Sequence, residues 1–354
     1  MDEITNDTLR TEAGHGLYCF GSGRGLRSFA FCLQKERLLS CVLAVVDNDR
    51  MRWGTEAIVE GRKHLVISPL ELRKRIARGD GKGIIITCMA EDEIRVQLAS
   101  YPELAGVSIG YYQTILDDWF GEQAEHMTFS NGLRSTGEPL IPKIIHYCWF
   151  GGASIPEEFQ RYIDGWHRMC PEYEIRRWDE TNYDVAKHPY MKAAYEAGKW
   201  AFVSDYARLD IVCQYGGFYF DTDVEIVRNL EELRYNEAFM AMDSSHRVSS
   251  GLGIGSVPHQ PVMEELRDAY DSYEFEDFHG QEERQAKNIL VCPELQSRVL
   301  ERYGFIRDCL RMQDIRGVRI YPVPVLCGQI GNRRIVTEQT YSVHHYAGTW
   351  TSQG

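Results

Sequence analysis

The sequence predicts an α/β protein with two domains, each built on a parallel β-sheet. Apolar segments of strand length alternate with helical segments in two separate parts of the chain, and glycine turns follow several of the strands. The length of 354 residues also exceeds what one hydrophobic core usually serves. We expect a first domain at 1–112, a connection at 113–139 and a second domain at 140–354.

The first domain opens with a pattern of strand, glycine turn, helix and strand. The apolar run Leu17–Phe20 leads into a turn at 21–25 with three glycines, and a second apolar run, Val42–Val46, ends at Asp47. We therefore expect a small, doubly wound parallel sheet over about residues 14–110.

A capping box supports a further helix in this domain. Ser68 is placed as N-cap, Pro69 as the first helical residue and Glu71 as its third, so a helix should run to about Ala77. A buried strand is predicted after it at 84–87. Residues 113–139 then show glycines and little sustained periodicity, which is typical of a connection.

The second domain restarts the α/β pattern after Pro142. We predict strands at 143–149 and 173–178 and helices at 156–169 and 201–215. Two charged residues of the last helix, Asp205 and Arg208, lie one turn apart and off its apolar stripe. That stripe consists of Phe202, Tyr206, Leu209 and Cys213. A helical ion pair is the structural interpretation of Asp205 and Arg208, but the apolar surroundings favour a polar site.

Two carboxylates follow the next predicted strand, 218–220. Asp221 and Asp223 are spaced i and i+2, so in an extended segment they point to one face at the end of the strand. Paired carboxylate oxygens suit Mg²⁺ or Mn²⁺. An isolated D-x-D can equally be a turn whose aspartates bond backbone amides, and here the buried helix and strand around it favour a cation site.

A histidine pair near the C-terminus is a third polar element. Imidazole is a common ligand of Mn²⁺-class ions, so a segment containing His344 and His345 could complete the site. Adjacent strand residues point to opposite faces, and at most one of the two should ligate.

Composition excludes some functional classes. A formal net charge of −13 argues against nucleic acid as a partner, because phosphate binding depends on clustered Lys and Arg. The polar N-terminus lacks the features of a secretory signal, and no apolar run is long enough to span a bilayer, so we expect a cytoplasmic protein. The ten cysteines contain no C-x-x-C pair and suit reduced, buried thiols.

Four segments in order resemble the D-x-D-containing glycosyltransferases of family 32, a group that includes bacterial capsular polysaccharide enzymes. The resemblance covers residues 140–354 and rests on the segments IPKIIHYCWFGG at 141–152, SDYARLD at 204–210, YGGFYFDTDV at 215–224 and HHYAGTW at 344–350. It implies a GT-A fold, a nucleotide-sugar donor, a divalent metal and retention of anomeric configuration. The resemblance does not extend to the small Rossmann-like domain expected before it at 1–112.

The resemblance also implies roles for single residues. Asp205 and Arg208 would hold the donor sugar or phosphate, Asp223 would ligate the metal, and Asp221 would bridge ribose and metal. Further donor contacts would come from Trp149, which would stack on the base unless it belongs to the core, and from Tyr219, Gly348 and Trp350. The ending His-Tyr-Ala-Gly is similar to that of retaining family 8 enzymes and makes His345 the expected metal ligand, rather than His344.

The implied activity is a metal-dependent, retaining hexosyltransferase. It would use Mn²⁺ or Mg²⁺ and a UDP-sugar, and it would act on a glycan or polysaccharide hydroxyl in the bacterial cytosol, with peripheral membrane contact if the acceptor is lipid-linked. The alternative is a non-catalytic nucleotide-sugar-binding or scaffold protein of a polysaccharide pathway.

The glycine turn of the first domain is similar to a dinucleotide-binding fingerprint. Its spacing departs from G-x-G-x-x-G because position 26 is Leu, although Asp47 lies where a ribose-binding acid would. A structural or protein-contact role is therefore favoured over nucleotide binding for this domain.

Overall fold

A computed structural model describes residues 2–127, 137–275, 291–330 and 333–347. The chain divides into two compact units. The first comprises the described residues up to Gln123 together with Arg333, and the second comprises the other described residues from Ala124 onward. Both units combine helices with parallel strand pairs, which confirms the predicted α/β class.

The first unit alternates strands and helices as predicted. Its elements in chain order are α1 (Asn6–Gly14), β1 (Leu17–Phe20), α2 (Arg24–Lys35), β2 (Val42–Val46), β3 (Glu56–Val59), β4 (Arg62–Ile67), α3 (Pro69–Ala77), β5 (Gly83–Ile86), α4 (Glu91–Ala99), β6 (Ser108–Tyr111) and the start of α5 (Tyr112–His126).

These strands form one six-stranded sheet in the order β3-β4-β2-β1-β5-β6. All neighbours pair in parallel except β3, which runs antiparallel to β4 at one edge. The chain reverses its direction of travel across the sheet at β1, as in doubly wound folds. The predicted capping box is present, because the Ser68 hydroxyl accepts the backbone N–H of Glu71.

Helix α5 covers the first half of the segment predicted to connect the domains. Its buried residues Ile115 and Trp119 are four apart, as are Leu116 and Phe120, which is helical periodicity. The glycines of 113–139 concealed this short pattern in the sequence. The predicted connection at 113–139 is therefore helical as far as His126.

The second unit contains the elements that position the candidate site. In chain order they are β7 (Ile144–Cys148), α6 (Glu157–Met169), β8 (Glu174–Trp178), α7 (Pro189–Glu196), α8 (Trp200–Tyr215), β9 (Gly217–Tyr219), β10 (Val224–Ile226), β11 (Ala238–Ala241), β12 (Ile254–Ser256), α9 (Pro261–Asp268), α10 (Cys292–Glu301), β13 (Gln313–Ile315), β14 (Val318–Tyr321), α11 (Val323–Leu326), β15 (Gln329–Ile330), β16 (Arg333–Arg334, of which Arg334 belongs to this unit) and β17 (Ser342–His344).

A seven-stranded mixed sheet forms the centre of this unit, in the order β13-β14-β11-β12-β9-β7-β8. Strand β9 lies between β7, to which it is parallel, and β12, to which it is antiparallel. Two further pairs, β10 with β17 and β15 with β16, form separate two-stranded sheets. The D-x-D turn therefore connects β9, inside the large sheet, to β10 of a two-stranded sheet.

Helix α8 is more deeply buried than its apolar stripe predicts. Val203 and every residue from Tyr206 to Cys213 are buried, including Arg208 and Asp210. Asp210 is satisfied by Tyr183 and Lys187, whose polar atoms lie 2.6 and 2.5 Å from its Oδ2. The helix ends at Gly216, whose φ of +64° is a left-handed conformation that glycine adopts without strain.

A membrane-spanning helix is not found among the described residues, since none of their helices is both long and apolar enough to cross a bilayer.

Candidate functional site

The D-x-D residues lie in the turn between β9 and β10. The backbone N–H of Val224 donates to the carbonyl of Asp221 at 3.1 Å and closes this turn. Strand β10 then pairs antiparallel with β17, and Val224 is opposite His344 in the register. The pairing brings the C-terminal histidines to the two aspartates.

Asp221, Asp223 and His344 form a compact group of possible metal ligands. One ligand atom from each residue lies within 4.8 Å of the others, and no second group of this kind is found in the described ranges. The His344 Nε2 is 3.4 Å from Oδ1 of Asp223. The other carboxylate oxygen of Asp223 accepts the backbone N–H of Ala347 at 3.0 Å, so the C-terminal segment holds this carboxylate from two sides.

The structure corrects the choice of His345 as a metal ligand. Its ring points away from the aspartates: Nε2 lies 3.1 Å from Oε2 of Glu225, and the ring stacks on Tyr162 at a centroid distance of 4.6 Å. Only its backbone N–H reaches Asp223, at the carbonyl oxygen. Side chains alternate along β17, and the register with β10 assigns His344 to the face of the carboxylates.

Arg208 joins α8 to the D-x-D turn. Its guanidinium forms ion pairs with Asp205 at 3.0 Å and with Asp221 at 3.4 Å, and its Nε donates to the carbonyl of Ser204. The side chain is 6% exposed, so these are contacts inside the protein. The i,i+3 ion pair, which was the structural alternative to a polar site, therefore exists, but Arg208 is buried and shared with Asp221.

The carboxylates of Asp205, Asp221 and Asp223 are partly buried and carry more negative charge than Arg208 neutralises. Burial raises the pKa of Asp205 to about 6, although Arg208 acts in the opposite direction. Burial also raises the pKa of Asp221, which the charge of Asp223 raises further and Arg208 lowers. Asp205, Asp221 and Asp223 with one guanidinium leave an excess of two negative charges when ionised. A divalent cation would balance that excess.

The donor set fits such a cation. Carboxylate oxygens and an imidazole nitrogen are ligands of Mn²⁺, and carboxylates also suit Mg²⁺. Asp221 and Asp223 would hold the cation together with His344. Asp205 would remain outside this group, since Arg208 lies between it and Asp221.

Gly251 lies against both Asp221 and Arg208. A Cβ on this glycine would lie 2.2 Å from Oδ2 of Asp221 and 3.0 Å from Arg208 Nη1, so no other residue fits without movement. The Gly251 carbonyl also accepts the N–H of Asp221 at 3.2 Å. Gly251 belongs to the glycine-rich run at 249–255, for which the resemblance implies a loop near the donor sugar and acceptor, although glycines serve an ordinary loop equally well.

Tyr219, for which the resemblance implies a contact with the diphosphate of the donor, is 1% exposed. That donor contact stays a prediction. The Tyr219 hydroxyl donates to Oδ1 of Asp221 at 3.0 Å, and the Arg208 guanidinium lies 5.3 Å from its ring centroid. Tyr219 thus helps to orient the carboxylate of Asp221.

The remaining predicted donor contacts have separate outcomes. Trp149 is partly exposed, with its Nε1 donating to the carbonyl of Ala153 and its ring edge-on to Phe159. Stacking of this ring on a base stays a prediction. Gly348 and Trp350 lie outside the described residues.

The carboxylate of Asp47, in the first unit, is hydrogen-bonded to nearby backbone. It accepts the backbone N–H of Ser22 at 3.1 Å and that of Asp49 at 2.9 Å. Burial raises the pKa of Asp47, but these hydrogen bonds outweigh burial and the pKa is lowered. Asp47 therefore stabilises the turn at 21–25.

Comparison with known proteins agrees with the chemistry of this site. Residues 156–240 match the family described as the glycosyltransferase sugar-binding region containing the DXD motif. The resemblance seen in the sequence is thereby confirmed over a segment that includes Asp205, Arg208, Asp221 and Asp223.

Two curated relatives match parts of the chain. Inositol phosphoceramide mannosyltransferase 2 of Schizosaccharomyces pombe is 29% identical over 133 residues, which cover 36% of this chain and 38% of that protein. The human alpha-1,4-N-acetylglucosaminyltransferase is 30% identical over 122 residues, 34% of this chain and 32% of the relative. The matched region thus spans about a third of each relative.

One solved structure is a distant match. The PaToxG glycosyltransferase is 16% identical in sequence, and the alignment covers 53% of this chain and 76% of that chain with a TM-score of 0.37. A score of this size is too low to establish a shared fold.

Proposed function

We propose that this chain, whose residues 156–240 match the DXD-containing glycosyltransferases, transfers a sugar from a nucleotide-sugar donor to an acceptor hydroxyl in a cation-dependent reaction. The observation that carries the proposal is the meeting of Asp221, Asp223 and His344 beside buried Arg208. The matched segment supplies the two aspartates, and β17 adds an imidazole from outside it.

The proposed chemistry follows from the charges of the site. A divalent cation, when bound, would neutralise the negative charge that develops on a departing nucleoside diphosphate. Arg208 holds Asp221 by an ion pair while Tyr219 donates to the same carboxylate, so its orientation is fixed before any ligand binds. The Ala347 N–H does the same for Asp223. The chain therefore supplies a preorganised acidic site.

The finer features of the proposal concern donor, acceptor and stereochemistry. A hexosyl donor is supported by the relatives' names, which specify transfer of mannose and of N-acetylglucosamine. A UDP-sugar, Mn²⁺ as the preferred ion, retention of configuration and a glycan or polysaccharide acceptor are proposed on the resemblance to family 32.

The first experiment is a ligand screen followed by an activity measurement. UDP-, GDP- and CMP-sugars are tested with and without Mn²⁺ by thermal shift, since a ligand that binds only the folded protein stabilises it. Hydrolysis of the donor that binds is then measured in the wild type, in Asp223→Ala and in Glu225→Ala. Glu225 is two residues further along the chain, on β10, and outside the group of possible metal ligands, so it is the matched control.

The expected result is Mn²⁺-dependent hydrolysis that is lost in Asp223→Ala and retained in Glu225→Ala. Equal hydrolysis by the wild type and Asp223→Ala would contradict the cation site. Donor binding by the wild type without any turnover or transfer would favour the non-catalytic alternative.

A further inference from the structure

The position of Gly251 depends on a loop at 248–251 that side chains of α10 hold in place. The loop connects a bridge between Met242 and Val248 to the start of β12. The backbone N–H of Val248 donates to the hydroxyl of Ser297 at 3.0 Å, and that of Ser250 donates to Oε1 of Gln296 at 3.1 Å. Two of the loop's amides are therefore satisfied by α10.

Gln296 makes two contacts with one loop residue. Besides accepting the Ser250 amide at Oε1, it donates from Nε2 to the Ser250 hydroxyl at 2.8 Å. Both side chains are fully buried. A buried side-chain amide is costly unless it is hydrogen-bonded. Here the oxygen and the nitrogen of the Gln296 amide both bond to Ser250, the residue directly before Gly251.

The same helix also reaches Asp205. The Nε2 of Gln296 donates to the thiol of Cys292 at 2.9 Å, and that sulfur lies 3.5 Å from the Ser250 hydroxyl. Cys292 in turn interacts with the Asp205 side chain, where burial raises the carboxyl pKa and the thiol contact lowers it. Helix α10 thus contacts both α8 and the 248–251 loop.

From these contacts we infer that Gln296 is a positioning residue of the cation site, acting through Ser250 and Gly251 on the carboxylate of Asp221. The Gly251 backbone lies so close to Asp221 that no Cβ fits between them. A shift of the loop therefore moves the surface against which the Asp221 carboxylate packs. The bond from the Asp221 N–H to the Gly251 carbonyl transmits the same shift. The inference rests on the proposed function for its choice of cation.

Gln296→Met tests the first link of this chain. Methionine has nearly the same length and volume but offers no amide, so both bonds to Ser250 are lost. Hydrogen exchange at the Ser250 amide should accelerate by about tenfold or more, as expected for a lost hydrogen bond. The Val248 amide is the internal control, because its partner Ser297 is unchanged.

Binding of Mn²⁺ alone, followed by electron paramagnetic resonance well below the unfolding temperature, tests the second link. We expect the dissociation constant of Gln296→Met to be about threefold to tenfold that of the wild type, the size of one or two misplaced contacts. Arg298→Met is the matched control on the same helix, since Arg298 is exposed and pairs only with Glu294 among the described contacts. Donor turnover lost in Gln296→Met should return at high Mn²⁺ in a variant that is already folded without the ion, since a bound ion also stabilises the folded state.

The outcomes separate this inference from the proposed function. Faster exchange at Ser250 with unchanged Mn²⁺ affinity would overturn the positioning role of Gln296. Wild-type Mn²⁺ binding without sugar transfer would overturn the proposed function alone, and a wild type that binds no Mn²⁺ would overturn both. If Gln296→Met does not fold, Ser250→Ala replaces it, because it removes only the hydroxyl bond. An unchanged Mn²⁺ affinity in Ser250→Ala would then overturn the inference.

Discussion

The imidazole of His344 lies 3.4 Å from the carboxylate of Asp223, although the two residues are far apart in the sequence. The antiparallel pairing of β10 with β17 creates this relationship, and it directs the neighbouring His345 to Glu225 instead.

Replacing each histidine separately should therefore give different results. In His344→Ala the Mn²⁺ dissociation constant should rise by about tenfold or more, since loss of a ligand commonly costs over 1.4 kcal/mol. In His345→Ala it should change by less than about threefold. Titration of Mn²⁺ followed by electron paramagnetic resonance measures both, and the opposite order of effects would restore His345 as the ligand.

Gly251→Ala should disrupt the site, because its Cβ would fall 2.2 Å from Oδ2 of Asp221. Overpacking of this kind typically costs about 1–3 kcal/mol, and we expect Mn²⁺ affinity to fall as well. Gly165→Ala is the control. Gly165 is inside α6 with only the flexible Arg168 side chain nearby, so alanine should stabilise the protein by about 0.5–1 kcal/mol.

Chemical denaturation of both glycine variants gives the free energies of unfolding. A Gly251→Ala protein with wild-type stability and Mn²⁺ affinity would show that the 248–251 loop moves freely away from Asp221.

Removing the Arg208 guanidinium should leave two partly buried carboxylates, Asp205 and Asp221, without their partner. Arg208→Met is expected to lower the free energy of unfolding by about 3–5 kcal/mol. Lys192→Met removes one member of an exposed i,i+4 pair with Glu196 and should change it by less than about 0.5 kcal/mol.

A double variant tests whether the Arg208 effect is electrostatic. Asp205→Asn removes one of the two charges that Arg208 neutralises, so Asp205→Asn with Arg208→Met should be more stable than the sum of the single changes predicts. If the changes in unfolding free energy are strictly additive, the loss of stability in Arg208→Met is due to packing and not to charge.

Stability should also depend on pH through Asp205. Its pKa is about 6 in the folded protein, above the ordinary value of 3.8, so the folded state holds a proton that the unfolded state releases first. This contribution favours folding below about pH 4 and is lost as the pH rises through 6, with a slope of at most about 1.4 kcal/mol per pH unit.

The difference in unfolding free energy between the wild type and Asp205→Asn isolates this effect from other carboxylates. It should change in favour of Asp205→Asn between about pH 4 and 7. A difference that stays constant over this range would show that Asp205 titrates alike in both states.

The sequence predicted the main elements of the second unit because their patterns are local. The helix predicted at 201–215 is α8, and the strand before the D-x-D is β9, each within one residue at its start. The spacing of Asp205 and Arg208 predicted a shared side of α8, and their ion pair is present.

The parts that could not be predicted depend on contacts between distant segments. Alternation along a strand allows one of His344 and His345 to reach the aspartates, but only the register of β17 on β10 decides which. Tyr219 shows the same limit, because burial by neighbouring elements is not encoded in its i,i+2 spacing from Asp221. Gln296 belongs to no sequence motif, and its proposed positioning role follows only from its contacts with Ser250 in the folded protein.

The participation of β17 has a consequence for the newly made polypeptide. While the chain is being synthesised, Asp221 and Asp223 emerge long before His344, so the ribosome releases a segment whose acidic turn still lacks its third partner. The proposed cation would then find its full set of ligands only after β17 has been added, and a nascent chain stalled before that point would carry the D-x-D without its imidazole partner.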